Sequence, residues 1–180
     1  MDDIYIAKVC NGDTDAFRYF IKTYQEMAFN VAIAVVKDEY TAQEIVQDAF
    51  VKAFKGLSSF SKRSGFRTWF YRIVVNEALQ RLRKRNADLL VLNETYDTQI
   101  ADEHVILALQ EAERAWLVSE ALKVLAPNEA LALRLFYLEE ESIKAVCEIT
   151  GWTEANTKVI LHRARKNMLA VVTKIMKQSA

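Results

Sequence analysis

Aromatic and basic side chains are interleaved between residues 60 and 85 of this 180-residue chain. Eight Lys or Arg side chains stand there against one acid, Glu77. Cations bind nucleic-acid phosphates, and aromatic rings stack on unpaired bases, each stack contributing about 1–3 kcal/mol. The amide of Asn76 can pair with a base edge. The stretch therefore predicts a surface for single-stranded nucleic acid. Its rings are those of Phe60, Phe66, Trp69, Phe70 and Tyr71.

A helical wheel separates these rings into two kinds. Phe66, Trp69 and Phe70 fall on one face of a predicted helix over 66–85, so packing in a core is the simpler interpretation of Trp69 and Phe70. Phe60 stands alone in a polar, basic loop over 57–65. It is the best candidate for a base contact.

A second group of candidate residues lies near the C-terminus. Ser142 can cap a short helix, Gly151 can supply a turn, and Thr153 can cap a long helix over 154–175. This layout is typical of a helix-turn-helix. Small and basic side chains on the outer face of the long helix suit the major groove, although a solvated basic face on a bundle helix gives the same pattern. The inner face carries Thr157, Leu161, Ala164 and Met168; the outer face carries Ala155, Val159, His162, Arg163 and Lys166.

Residues suited to catalysis or metal binding are sparse. The two histidines, His104 and His162, have no partner pattern, and the four glycines stand singly, without a phosphate-binding loop. Cys10 and Cys147 are far apart, and we expect both to be small buried side chains rather than zinc ligands. The acidic run 139–141 is interpreted as a solvated turn. We therefore predict no enzyme activity, no metal, no cofactor and no small-molecule substrate.

The net charge of zero is an average over unlike segments. Residues 1–86 hold 14 basic and 10 acidic side chains, and residues 152–180 hold six and one. Residues 87–111 hold six acidic side chains and no basic one. Two basic blocks around an acidic middle suggest a polyanion contacted at two places, with ordinary solvated faces as the alternative.

Helical periodicity predicts an all-α fold. With four glycines and one proline, an all-β fold is nearly excluded. We expect helices over 2–10, from Asp13 to about 37, from a Thr41–Glu44 capping box to about 55, over 66–85, over 105–125, and from Pro127 to about 138. Residues 87–104 are predicted to be a linker, with an extra helix as the alternative. No transmembrane span or signal peptide is visible, so a cytoplasmic location is expected.

Three motifs in this order resemble the extracytoplasmic-function (ECF) sigma factors of bacterial RNA polymerase. Residues 12–85, with GDTDAF, TAQEIVQDAFVKAF and FRTWFYRIVVNEALQRLRKR, resemble the family's second domain. Residues 122–169, which include HRARK, resemble its fourth domain. Together the two segments cover about two thirds of the chain. The resemblance implies two small helical domains, 1–86 and 112–180, joined by an acidic linker over 87–111.

The resemblance also implies roles for individual residues. It places Phe60, Ser61, Lys62 and Arg63 on the loop that captures a flipped −10 base, with Asn76 lining that pocket. Trp69 and Arg72 fall in the melting segment, and Arg81 and Arg83 near upstream −10 phosphates. Lys158, Val159, His162, Arg163 and Lys166 fall on the helix that contacts the −35 element. Glu44, Gln47, Asp48 and Phe50 fall where the family docks on core polymerase.

The expected partners are therefore core RNA polymerase, promoter DNA and an anti-sigma factor. A stand-alone helix-turn-helix regulator is the alternative, although it leaves the aromatic-basic loop unexplained. A helical adaptor that binds only protein is a third possibility.

Overall fold

The computed structural model describes residues 1–87 and 111–179, and all regular structure in these two segments is helical. Eight α-helices are described, together with two short 3₁₀ turns and one π-helical turn. The all-α prediction is confirmed. The helices are α1 Asp2–Cys10, α2 Arg18–Val36, α3 Glu39–Gly56, α4 Phe66–Ala87, α5 Glu111–Val124, α6 Pro127–Leu133, α7 Ile143–Thr150 and α8 Glu154–Ser179; the turns are Thr14–Phe17, Leu57–Ser59 and, π-helical, Arg134–Leu138.

The start of α3 differs from the prediction. Thr41 does not cap this helix; the Asp38 carboxylate does, accepting a 2.8 Å hydrogen bond from the Thr41 backbone N–H. Asp38 has extended backbone angles, and its charge makes it the stronger acceptor. The helix consequently begins three residues earlier, at Glu39. Asp13 is a cap as predicted, but for the 3₁₀ turn Thr14–Phe17 that precedes α2.

The N-terminal helices pack around an aromatic core. Phe20 of α2 and Phe66 of α4 have ring centroids 4.2 Å apart, and Phe50 of α3 lies 4.7 Å from Phe70. Helix α1 is attached at the edge of this core. Its Asp2 carboxylate accepts hydrogen bonds of 2.9 and 2.7 Å from the hydroxyls of Tyr19 and Tyr24. These contacts hold the first residues of the chain beside the loop between α3 and α4.

The core continues from the N-terminal helices α1–α4 into the C-terminal helices α5–α8. Leu131, Leu135, Val146 and Ile149 belong to the same buried apolar cluster as Phe70 and its neighbours. Helix α7 packs on α4, and α6 packs on α2. A second buried cluster, centred on α5, α6 and α8, completes the C-terminal region. The two regions therefore lie against each other through a common core.

Hydrogen bonds and ion pairs reinforce this contact, and they correct the prediction for residues 139–141. Glu139 accepts a 2.7 Å hydrogen bond from the Tyr71 hydroxyl of α4 and pairs with Arg134 at 3.0 Å. Arg67 pairs with Glu141 at 3.2 Å. Burial and the bond to Glu139 raise the pKa of Tyr71, and burial raises the pKa of Glu141. The run is not a solvated turn, because Glu139 accepts from Tyr71 and Glu141 pairs with Arg67 across the contact, while Arg134 pairs with Glu139 within the C-terminal region.

Lys37 makes a further contact between the regions. It follows α2 in a left-handed conformation, with φ of 58°, and its Nζ donates to the Leu122 carbonyl oxygen of α5. Burial lowers the pKa of Lys37 to about 8. A largely desolvated amine thus lies at the contact between α2 and α5.

Several predictions concern residues beyond the described segments. The linker over 87–111, the helix start near 105 and His104 lie almost wholly outside them.

Cys10 is exposed and Cys147 half-buried, so the expectation that both are buried is wrong. Within residues 1–87 and 111–179, no helix is both long and apolar enough to span a membrane.

Candidate nucleic-acid interface

The loop over 60–65 presents Phe60 on a support of other rings. Phe60 is half-buried, with its centroid 4.9 Å from that of Trp69 and 6.2 Å from that of Phe66. Gly56 makes room for the Trp69 ring, because a Cβ there would lie 3.3 Å from Trp69 Cζ2. Phe60 is therefore not isolated, as the sequence suggested, but forms a two-ring platform with the half-exposed Trp69.

A polar cavity of about 570 Å³ opens beside this platform. Lys62 reaches across it in a left-handed conformation, and its Nζ lies 2.8 Å from Asp3 Oδ1. The hydrogen bond and charge of Lys62 lower the pKa of Asp3. The sequence analysis did not predict that α1 lies beside this loop. The two acidic residues at the start of α1, Asp2 and Asp3, were the signal for a contact with the basic loop. The cavity is lined by Met1, Asp2, Asp3, Ile6, Phe60, Lys62, Arg63, Ser64, Gly65 and Phe66.

The outer face of α4 extends from the platform. Arg72 and Asn76 are exposed one and two helical turns beyond Trp69, while Phe70 and Tyr71 point into the core. Asn76 is not among the residues that line the cavity. The structure therefore places it on an open strip of α4 rather than in the same pocket as the loop.

Arg81 lies between the residues predicted to contact DNA and those predicted to contact polymerase. It pairs with Glu44 at 2.8 Å and with Asp48 at 3.4 Å, both on α3. Arg83, two residues further along α4, is exposed. Arg81 thus joins α3 and α4, and the two carboxylates are engaged with a cation of the same region.

Helices α2 and α3 form a groove of about 610 Å³ on the face of α3 that adjoins Glu44 and Asp48. Gln47 and Val51 line it from α3 and Ile21 from α2. Phe50 contributes to its floor but is largely buried among other rings. Among the residues expected to bind polymerase, Gln47 has a side chain at this groove and Phe50 mainly supports it.

The predicted helix-turn-helix is present in α7 and α8. The Ser142 hydroxyl caps α7 by accepting from the Ala145 N–H at 3.1 Å. Gly151 turns the chain with φ of 76°, a conformation that glycine adopts without steric cost. Thr157 of α8 is fully buried, 3.3 Å from Cys147 of α7. These contacts fix α8 against α7 and leave its other face outward.

The outward face of α8 carries the predicted side chains. Val159 is 62% exposed, and His162 and Lys166 are exposed as well. Lys158 is exposed and pairs with Glu154 at 2.6 Å on the same helix. Arg163 lies on the flank of this face, where its Nε is 2.5 Å from Glu129 Oε1 of α6. Sequence reasoning did not identify Glu129 as a partner.

Within the segments that the structure describes, no group of three or more metal-ligating side chains could hold a metal ion. What the geometry presents instead is two cationic surfaces. The N-terminal surface consists of the loop over 60–65 with the outer face of α4, and the C-terminal surface is the outward face of α8. One is supported by aromatic rings, the other by a helix-turn-helix.

Two family models match the chain. Sigma-70 region 2 matches residues 20–87, and Sigma-70, region 4 matches residues 116–168. The first match contains the N-terminal surface and the second contains the C-terminal surface.

Curated relatives match over most of their length. The ECF RNA polymerase sigma-E factor of Haemophilus influenzae is 30% identical over 177 residues, covering 92% of each chain. The ECF RNA polymerase sigma factor SigW of Bacillus subtilis is 26% identical over 170 residues, covering 89% of this chain and 91% of SigW.

Two solved structures share the fold. CnrH in complex with the cytosolic domain of CnrY has a TM-score of 0.62 at 20% identity, covering 98% of this chain and 97% of CnrH. RpoE from Bartonella quintana, in complex with the anti-sigma factor NepR, has a TM-score of 0.67 at 21% identity, covering 87% and 96%.

Proposed function

The chain belongs to the extracytoplasmic-function family of RNA polymerase sigma factors, and we propose that its two cationic surfaces divide promoter recognition between them. The N-terminal surface engages the separated −10 strand, and the C-terminal surface contacts the −35 duplex. The observation that carries this division is the platform of Phe60 and Trp69, whose centroids are 4.9 Å apart, beside a polar cavity that Lys62 and Arg63 line.

The chemistry of the N-terminal surface suits an unpaired strand. A base removed from its stack loses several kcal/mol of stacking and pairing, which a ring in the protein partly restores. Phe60 offers such a ring, and Lys62 and Arg63 stand at the same cavity to neutralise phosphates. Arg72 and Asn76 continue the surface along α4, where Arg81 and Arg83 follow.

The chemistry of the C-terminal surface suits a duplex. A rigid helix with one exposed apolar side chain and several cations can enter the major groove, where thymine presents a methyl group. Val159 is the apolar contact in this assignment, and Lys158, His162 and Lys166 are the polar ones.

Core polymerase is the partner that unites the surfaces. We assign its docking site to α3 and the groove against α2, with Gln47 at the groove and Glu44 and Asp48 on the adjoining face. Residues 1–86 form the −10 and polymerase-binding domain, 87–111 the linker, and 112–180 the −35 domain. An initiation factor of this kind has no catalytic residue of its own, and it acts in the cytoplasm, where the polymerase is.

An anti-sigma factor is a further expected partner, since CnrH and RpoE, which share the fold, were solved with CnrY and with an anti-sigma factor. An apolar groove of about 760 Å³ between α5, α6 and α8 supports this assignment. Its apolar walls include Leu117 and Val172, and Arg114, Arg165 and Lys166 stand along it. Such a groove suits an amphipathic helix with acidic side chains.

Run-off transcription with purified core polymerase tests the proposal. The full chain should direct a specific transcript that core polymerase alone does not make, and the transcript should require both promoter elements. Binding of duplex DNA without core enzyme and without a transcript would favour a stand-alone regulator instead. Failure both to bind core polymerase and to direct initiation would overturn the assignment.

A further inference from the structure

The buried carboxylate of Glu129 lies beneath the edge of the C-terminal surface. Glu129, in the first turn of α6, is 3% exposed and is one of only two polar or charged residues in the core of the described segments. Its oxygens accept hydrogen bonds from two side chains of α8. Arg163 Nε donates at 2.5 Å, and Asn167 Nδ2 lies 3.1 and 3.0 Å from the two oxygens.

This carboxylate restrains Arg163. A carboxylate buried without a cation is strongly disfavoured, so Arg163 cannot turn away from Glu129 at little cost. Glu129 engages the Nε edge of the guanidinium, which leaves the two Nη groups for another acceptor. The Arg163 side chain is still 58% exposed, so that outer edge is accessible.

The position of Arg163 on α8 indicates which acceptor that is. At 100° per residue, Val159 and Lys166 lie opposite the buried face, whereas Arg163 lies about 60° to one side, towards Asn167 and α6. When a helix enters the major groove, its central residues face the bases and its flanks face the phosphates at the groove wall. Arg163 lies on such a flank, and Glu129 bonds its Nε edge. Its two Nη groups are therefore directed towards the phosphates of the duplex.

We propose that Glu129 is a positioning residue that fixes Arg163 as a phosphate contact, so that Arg163 anchors α8 on the −35 duplex without selecting its sequence. The inference rests on the proposed function of the C-terminal surface. It differs from the role that the family resemblance gave to Arg163, contact with the −35 bases. Pre-orientation matters because an arginine free in solution loses much side-chain entropy when it binds.

Holoenzyme assembled from the full chain and core polymerase provides the test. Affinity is measured for a promoter fragment, for fragments with single −35 substitutions, and over a range of salt concentrations. Glu129→Gln keeps the shape and a neutral acceptor, and we expect it to weaken binding roughly three- to tenfold for all −35 sequences alike. Glu148→Gln, on the exposed face of α7, removes the same charge without touching Arg163 and should leave affinity unchanged.

The coupling between the two residues separates positioning from general destabilisation. Arg163→Ala should weaken binding uniformly and reduce the salt slope by about 1, and Glu129→Gln should cost nothing more in that background. Arg163→Lys preserves a cation for Glu129 but lacks the outer Nη edge; it should melt like the unaltered protein and still lose affinity. Thermal melting of each variant accompanies the binding data.

Two results would overturn the inference. One is additive losses in the double variant, and the other is a changed preference at a single −35 base pair in Arg163→Ala with an unaltered salt slope. Both presuppose that the unaltered holoenzyme prefers its −35 sequence over a scrambled one. Absence of that preference would count against the proposed function itself, so the two failures are distinguishable.

Discussion

The N-terminal and C-terminal surfaces carry similar charges on different supports. At the N-terminal surface the cations lie on and around a loop with a left-handed lysine, and the half-buried rings of Phe60 and Trp69 pack together there. At the C-terminal surface the cations project from one helix with an exposed valine and no Phe, Tyr or Trp among the predicted contacts. Rings and a loop suit irregular single strands, while a rigid helix suits a regular groove.

Phe60→Ala is expected to have the largest effect, and it tests whether the two surfaces have different roles. Loss of one base–ring stack should reduce promoter opening roughly ten- to hundredfold, because a stack contributes about 1–3 kcal/mol. Opening can be followed by the fluorescence of 2-aminopurine in the −10 element, and −35 duplex affinity should be unchanged. Trp116→Ala, which removes a ring that is 53% exposed on α5, away from the surfaces assigned to DNA and polymerase, is the matched control. An equal loss at both promoter elements would contradict the division of roles.

The next largest effect is expected on the free energy of unfolding, and it comes from Lys37 at the contact between the N-terminal and C-terminal helices. The pKa of Lys37 is about 8 in the folded chain and 10.5 when unfolded, so the unfolded state binds more protons between those values. The contribution of Lys37 to the free energy of unfolding should therefore rise with pH from about 8 to 10.5, by at most about 3 kcal/mol. The buried Tyr24 and Tyr71, whose pKa values are raised from 10.0, contribute in the opposite direction as the pH approaches and passes 10, so the effect of Lys37 is read from the difference between variant and parent profiles.

Urea unfolding across this pH range measures the effect. Lys37→Met should remove the rise, whereas Lys22→Met, at an exposed position of the same helix, should preserve it. Identical pH profiles for the two variants would show that burial of Lys37 does not link the regions in this way.

A smaller effect is expected from Lys166→Ala. Removal of one outward cation should weaken −35 duplex binding a few-fold and lower the salt slope by about 1, with strand capture unaffected. Lys174→Ala is the control, because Lys174 is exposed on the same helix two turns beyond. Equal losses from the two variants would mean that α8 contacts DNA without a defined footprint.

The smallest effect concerns the ion pair at the cavity. Asp3→Asn should free Lys62 and strengthen binding of single-stranded −10 DNA roughly twofold, because exposed ion pairs contribute little. Asp15→Asn, which removes an exposed carboxylate paired with Arg18 outside the cavity, should have no effect. Anisotropy of a labelled −10 oligonucleotide measures both, and weaker binding by Asp3→Asn would contradict the assignment.

The sequence was informative wherever the signal is local. Helical spacing and capping residues placed α7 and α8 within a few residues of their ends, because Ser142, Gly151 and Thr153 act on their immediate neighbours. The cap of α3 was wrong because Asp38 and Thr41 both suit the position, and the backbone angles that decide between them are not visible in a sequence.

Long-range partners could not be predicted. Glu129 and Arg163 are 34 residues apart, and Asp3 and Lys62 are 59 positions apart in the numbering, so neither pair forms a recognisable motif. Glu139 and Glu141 were assigned to solvent because a run of like charges normally is solvated. Their partners, Tyr71 and Arg67, come from a helix that only the fold brings near.

The core that spans both regions also determines how the chain denatures. Leu135 and Val146 are as deeply buried as Phe70 and lie in the same cluster. Separation of the N-terminal helices from the C-terminal helices would therefore expose apolar surface of both to water. Heating the isolated protein should therefore give one calorimetric peak, with equal van't Hoff and measured enthalpies, in place of two independent melts. A fragment that ends near residue 87 would lack part of its interior, and its melting temperature would be lower than that of the intact chain.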